Sequence, residues 1–314
     1  MRAQSGLLRA RGTVGSAFLA PALRFLEAAL ARSLGRESVR IESAPVVSGG
    51  RIREALRLAT PEGEFFAKWS DEGPEDIFLC EAQGLDTLRA ASGSITVPRV
   101  IAVGKRDTET PGFLIIEYLH GSRRREEADD ETLGRGLAAI HRTTRSSFGF
   151  HATSYCGPTA QDNRASVTWV EFYRDRRLRP LVEALQRRSG LSFADRCVFD
   201  RLTERLEELL PTDSTPSLIH GDLWAGNVLS TTRGPALVDP ACAFADREME
   251  FGITTLFGGL PPRAFSAYQE AWPMRHDWRE RNPLYQLYHL LNHALLFGGN
   301  YGEEGLRVAS RFAG

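Results

Sequence analysis

The sequence is short of cysteine, of long apolar runs and of net charge, and each shortage closes a class of function. Its four cysteines, Cys80, Cys156, Cys197 and Cys242, stand far apart, form no C-x-x-C and lie near no histidine cluster in the chain. That spacing argues against a zinc site or a disulfide framework and fits a reducing compartment, the cytoplasm. No stretch approaches the roughly 18 uninterrupted apolar residues of a membrane span, so no membrane partner is expected. Lysine and arginine number 39 against 40 acids, a net charge of −1 that gives no electrostatic reason to bind nucleic acid or an anionic surface. The arginine-rich "RDRRLRP" (174–180) is flanked by acids and is expected to be solvated helix surface. G-x-G-x-x-G, the Walker A pattern, H-E-x-x-H and internal repeats are all missing.

What remains is an ordinary globular composition, 42% hydrophobic and 25% charged, long enough for one large domain or two lobes. The first 26 residues hold four arginines and no acid. They suit an N-terminal extension (1–22) running into the first helix, with an organellar leader as the alternative. "ALRFLEAALARSLG" (22–35) has apolar residues at helical spacing and stops at a glycine. "RIREALRLAT", a Pro61–Gly63 turn and "EFFAKWS" predict a β-hairpin. "EDIFLCEAQGLDTLRAAS" (75–92) predicts a helix with Phe78, Ala82, Leu85 and Leu88 on one face, and "RVIAVGK" and "GFLIIEYLHG" predict two more strands. From about Asp129 the pattern is helical, broken by a small hairpin in "LIHGDLWAGNVLSTTRGPALVDP". An α+β chain in two lobes follows: a strand-rich lobe over 23–119 and a helix-rich lobe over 120–314.

Chemistry concentrates in that hairpin. Asp222 and Asn227 flank its entry and Asp239 its exit, and a hairpin returns its far end to its beginning. Phosphoryl transfer needs this set, a carboxylate for the attacking hydroxyl and an amide with a second carboxylate for the metal on the phosphates. D-x-x-x-x-N followed by a lone Asp is a spacing shared with protein kinases. Taken singly, Asp222 and Asn227 read better as turn formers and Asp239 as a strand-end cap before Pro240. Upstream, Lys68 lies late in a strand and Glu81 in the next helix, the order of a phosphate-binding lysine and its anchoring acid, though a surface lysine and an exposed helix glutamate would read the same. Gly49 and Gly50 in "SGGRI" let a backbone approach phosphates, though they also suit any hairpin. "IIEYLHG" ends a strand where backbone groups of Glu117, Tyr118 and Leu119 can meet an adenine edge, and where a plain linker would serve as well.

On these residues the chain resembles the fructosamine (ketosamine) kinases, within the aminoglycoside- and choline-kinase-like group. The resemblance runs from about Ser33 to about Arg307 and is most specific in "HGDLWAGN", "VDPACAFADREMEFGITTLFGG" and "YQLYHLLNHALLFGGNY". "FLCEAQGL" and "TAQDN", with Gln161 and Asn163, fit the same family. The resemblance implies a two-lobed protein-kinase-like fold, a small antiparallel-sheet lobe with one helix and a larger helical lobe. It implies ATP and Mg²⁺, a ketosamine or glycated-protein substrate phosphorylated on its 3-hydroxyl, and a monomer or weak dimer. By the same resemblance Asp222 is the base, Asn227 and Asp239 the metal ligands, Lys68–Glu81 the phosphate anchor and Glu117–Leu119 the hinge. The loop "SGGRIREALRL" lacks the cysteine through which some members form an intersubunit disulfide, so that switch is not expected.

Substrate contacts are expected from His220, Trp224, Asp246 and Glu248. Trp224 would stack on a sugar face or plug the lobe core. Asp246, Glu248 and Glu250 would attract an amine or favour a helix N-terminus. His289 and His293, one helical turn apart among apolar residues, are expected to be packed structural histidines. The alternatives are an aminoglycoside or amino-alcohol phosphotransferase on the same machinery, and a nucleotide-binding pseudokinase.

Overall fold

The computed structural model describes residues 16–49, 54–122 and 126–314. The small lobe opens with helix α1 (Ser16–Leu34), then strands β1 (Val46–Gly49), β2 (Glu54–Thr60) and β3 (Gly63–Ser70). Helix α2 (Ile77–Ala91) and strands β4 (Val100–Gly104) and β5 (Gly112–Glu117) complete it. The strands form one antiparallel sheet in the order β1-β2-β3-β5-β4. The expected hairpin is β2–β3, closed at Gly63, whose φ of 133° a side chain would resist.

Two-residue alternation decides what this sheet presents. Phe65, Ala67 and Ile115 point to one face and pack with Leu26, Ala29 and Leu30 of α1. Leu114 and Ile116 point to the other, with Phe66 packed alongside, and meet Phe78, Leu85 and Leu88 of α2. The sheet thus carries the two helices expected over 22–35 and 75–92, one per face. α1 begins at Ser16, so a boundary at 22 falls inside it.

The large lobe runs through α3 (Glu127–His141), the ribbon β6 (Ser154–Cys156) and β7 (Thr159–Gln161), α4 (Trp169–Tyr173), α5 (Arg179–Ser189) and α6 (Phe193–Leu209). β8 (Ser217–Ile219), β9 (Val228–Thr231), β10 (Gly234–Leu237) and β11 (Ala243–Ala245) follow. α7 (Glu248–Phe257), α8 (Pro262–Ala271), α9 (Trp278–Phe297) and α10 (Tyr301–Ala313) end the chain. Its core is aromatic, with Trp169, Phe172, Tyr173, Tyr285 and Tyr288 all buried. A second cluster joins α2 to α3, β8 and α7 through Leu88, Leu137, Leu218 and Phe251, so the small lobe is seated on the large one.

The turn between α4 and α5, Arg174–Leu178, is a π-helix. It corrects the expectation of a solvated surface at 174–180 in one place. Arg177 is 1% exposed, donates to the Asp162 carbonyl and to Asn163 Oδ1, and lies 4.4 Å over the Phe172 ring. Gln161 and Asn163 belong to the same buried network, bonded to Tyr288 and Ser154. Among the described residues no helix is long and apolar enough to cross a membrane.

Candidate active site

The catalytic-loop candidates are fixed from below by strand pairing. β8 pairs with β11, and the chain leaves β8 through His220 and Gly221. At Gly221 φ is 80°, and a Cβ there would lie 2.2 Å from the Ala241 carbonyl oxygen, so only glycine turns the chain at this point. Asn227 Nδ2 donates back to the Asp222 carbonyl at 2.8 Å and to its Oδ2 at 3.2 Å. The β9–β10 hairpin pairs Val228 with Leu237, and Val238 N–H donates to Asn227 O at 3.1 Å. The hairpin therefore returns Asp239 to the loop that holds Asp222. Asp239 is the one non-glycine residue with positive φ (57°) among those described, a conformation concentrated at functional sites.

Lys68 reaches this point from the other lobe. Strand alternation puts it on the α2 face of the sheet. On α2, Ile77, Glu81, Leu85 and Leu88 share a buried stripe, so Glu81 is a carboxylate on an apolar face. Lys68 Nζ donates to Glu81 Oε1 at 2.8 Å and forms a second ion pair with Asp239. Burial alone would lower the lysine's pKa, but the two carboxylates raise it above its usual value and keep the ammonium charged. Burial, reinforced by the Asp239 charge, pushes Asp222 up to about 7.

Three hollows run on from one another along these residues. A cavity of about 360 Å³ lies under the segment expected to be the hinge, lined by Glu117, Tyr118 and Leu119 and closed by Phe66, Lys68 and Asp239. A smaller one of about 190 Å³ joins Glu81, Asp222, Asn227 and Asp239. A third, about 510 Å³, starts at Asp222 and Trp224 and is walled by Phe257, His293 and Tyr301. Asp239 is common to the first pair and Asp222 to the second. Trp224 is 41% exposed and lines the last two hollows, which leaves no role for it as a core plug. Gly49 ends β1, and Gly50 lies outside the described residues.

Three expected substrate residues are corrected. His220 is wholly buried and neutral. Its Nε2–H donates to the Val238 carbonyl and its Nδ1 accepts from Asp222 N–H, so it braces the loop. Asp246 and Glu248 are each 1% exposed and line neither the hinge cavity nor the hollows at Asp222. Asp246 accepts from Ser214 and Arg275, and Glu248 from Arg281 and Arg275, so their charge is already matched. An unmatched carboxylate would not stay buried there.

Glu250, expected only as one of that acidic cluster, holds a central position. It accepts from the backbone N–H of His220 at 2.5 Å and of Gly221 at 3.0 Å, and from neutral His141 at 3.5 Å. The signal in the sequence was an acid held between the apolar Met249 and Phe251.

Residues 26–312 match the fructosamine kinase family model. The chain belongs to the fructosamine kinase family. A probable ketoamine kinase of Vibrio parahaemolyticus is 36% identical over 82% of this chain and 88% of its own length. The chloroplastic protein-ribulosamine 3-kinase of Oryza sativa subsp. indica is 34% identical over 87% of this chain and 79% of its own. A Thermobifida fusca crystal structure provisionally assigned as a fructosamine-3-kinase superposes with a TM-score of 0.80 at 32% identity, covering 92% of this chain and 98% of that one. The two-lobed kinase-like fold and the family expected from the sequence are both borne out.

If Lys68 and Glu81 act as one unit, replacing both should cost little more than replacing the lysine. Lys68→Met is expected to lower kcat/KM by ~10²-fold or more and Glu81→Ala by less, since Asp239 still holds the ammonium. A double-mutant cycle on kcat/KM checks it, and strict additivity would separate the two.

Proposed function

We propose that this member of the family transfers the γ-phosphoryl group of ATP to the 3-hydroxyl of a ketosamine, a fructosamine or ribulosamine. The observation that carries this is the run of hollows, in which Asp239 borders the hinge cavity and Asp222 borders the cavity on the far side. The nucleotide would occupy the hinge side, with Lys68 on its phosphates, and the sugar the Trp224 side. A hydroxyl lying between them meets Asp222 first. A carboxyl with a pKa near 7 is well matched to orient that hydroxyl and accept its proton. Trp224 offers an apolar ring face to the sugar. Positioning and charge stabilisation would supply most of the rate gain.

The donor set suits magnesium. Asp222, Asn227 and Asp239 offer hard oxygens around one hollow. The Asp239 charge, which helps raise Asp222, marks the site as short of positive charge. Asn227 and Asp239 would hold the ion, whose chemistry is to neutralise charge on the transferring phosphates. The four cysteines are free thiols, in keeping with a reducing, cytoplasmic setting.

The position of the phosphate is testable through its fate. A 3-phosphate stands next to the carbonyl carbon of a ketosamine. Loss of a C1 proton gives a C1–C2 enaminol, whose electron pair expels phosphate from C3. Hydrolysis of the resulting imine then frees the amine and leaves a 3-deoxy-dicarbonyl sugar. After quenching and removal of the enzyme, free amine and inorganic phosphate are expected to rise together with time. A stable phosphorylated product would rule out the 3-hydroxyl. Parallel turnover on glycated lysine, ribulosyl-lysine, an aminoglycoside and choline would separate this proposal from the aminoglycoside and amino-alcohol readings.

A further inference from the structure

Beside the catalytic loop the fold gathers three side chains that the sequence keeps far apart. Cys156 ends β6, Asp222 follows β8 and His289 lies in the middle of α9. A thiol sulfur, a carboxylate oxygen and a ring nitrogen from these residues all lie within 4.8 Å of one another. Cys156 Sγ is 3.8 Å from Asp222 Oδ1. Ligands at ~2.0–2.3 Å from one tetrahedral ion stand ~3.3–3.8 Å apart, so this trio needs little closure to share a cation.

A second observation points to a ligand. His289 is 1% exposed, and its Nδ1 is buried with no hydrogen-bond partner. Burial pushes its pKa down to about 3, so the ring is neutral and keeps a free lone pair. Asn292 lies three residues further along α9, and its Nδ2 donates to the Cys156 carbonyl at 3.3 Å while its Oδ1 has no partner. Buried polar atoms are nearly always satisfied, and two orphans on residues that neighbour Cys156 mark an unfilled role. The hollow of about 510 Å³ on the Trp224 side is lined by Cys156, Asp222 and Asn292 and provides the way in.

We propose that Cys156, Asp222 and His289 form an inhibitory site for a zinc-class divalent cation, distinct from the magnesium position at Asn227 and Asp239. Sulfur and imidazole select zinc, whereas magnesium prefers oxygen donors alone and gains nothing from the thiol. On binding, the thiol releases its proton to solvent as the sulfur–metal bond forms, and neutral His289 has none to lose. The Asp222 oxygen then donates its lone pair to the metal and can no longer accept the hydroxyl proton. The inhibitory half of the proposal rests on Asp222 being the base, whereas the binding half does not. The cysteine and histidine spacings argued against zinc because they measure distance along the chain. Here β6 and α9 supply the proximity.

The test uses the full chain at saturating ATP and Mg²⁺. Zn²⁺ is expected to inhibit competitively against the ketosamine and not against ATP. Cys156→Ser and His289→Gln should each raise the inhibitory concentration by about tenfold or more. Co²⁺ should bind the wild type at one per chain with a thiolate-to-metal charge-transfer band that Cys156→Ser abolishes. Equal zinc sensitivity in the wild type and both variants would overturn the site, because the metal would then be acting on the nucleotide's magnesium. If a variant fails to fold, the wild-type Co²⁺ spectrum still decides, and no thiolate band means no site. A thiolate band with undiminished turnover would overturn the inhibition and, with it, Asp222 as the base, while leaving the binding site standing.

Discussion

Asp222→Asn is expected to lower kcat by about 10²–10⁴-fold, the usual worth of a positioned acid–base group, while nucleotide affinity stays within about twofold. The split follows from the geometry. The hinge cavity is closed by Lys68 and Asp239 and does not include Asp222, so the nucleotide keeps every contact proposed for it. The carboxylate borders the Trp224-side hollow, where the hydroxyl would arrive. An amide keeps the shape of the side chain but cannot take up the proton. The change should leave the fold intact. Asp222 and Asp239 are like charges facing one small hollow, and a neutral amide relieves that repulsion. The variant should therefore melt no lower than the wild type. Steady-state kinetics, nucleotide titration and a melting curve check the three expectations together. Near-normal kcat would remove Asp222 from the chemistry, and a large fall in Tm would show that it holds the loop instead.

Residues whose placement is set by local structure were legible in the sequence. Asp222, Asn227 and Asp239 are spaced by one hairpin, and a hairpin's return is a property of neighbouring residues. Lys68 and Glu81 sit on a strand and a helix whose periods of 2 and 3.6 assign each a face before any packing is known. Residues whose meaning depends on distant partners were not legible. Asp246 and Glu248 look like an exposed acidic cluster until Arg275 and Arg281, from a segment beyond α8, are folded against them. His220 carries polar atoms on both sides of its ring, and only the pairing of β8 with β11 shows that both face the protein. Arg177 reads as surface because charge composition cannot reveal a π-turn that swings one arginine of the run inward. A pattern counted along the chain reports secondary structure well and the satisfaction of buried charge poorly.

Glu250→Leu is expected to destabilise the protein by about 3–5 kcal/mol, the cost of breaking a buried, hydrogen-bonded charge network. Glu250 is 1% exposed, and burial by itself would push its pKa up. The hydrogen bond from His141 and the backbone donors around it bring it below the usual carboxylate value instead. Leucine fills the space but leaves the N–H groups of His220 and Gly221 without their acceptor. It also strands His141, which is neutral because of its burial, donates from Nε2 to Glu250 and accepts at Nδ1 from the Tyr268 hydroxyl. Glu250→Gln should fall between, because its carbonyl oxygen still serves one N–H while its own amide hydrogens face the other. Because those two N–H groups fix the chain just before Asp222, turnover should fall along with Tm. Glu248→Gln is the control: it weakens the pairs with Arg275 and Arg281 and should lower Tm without touching the loop. Thermal melts, together with amide hydrogen exchange at His220 and Gly221, separate the cases. Rapid exchange at those two amides in Glu250→Leu, but not in Glu248→Gln, is the expected result. Unchanged protection would mean that strand pairing alone holds the loop before Asp222.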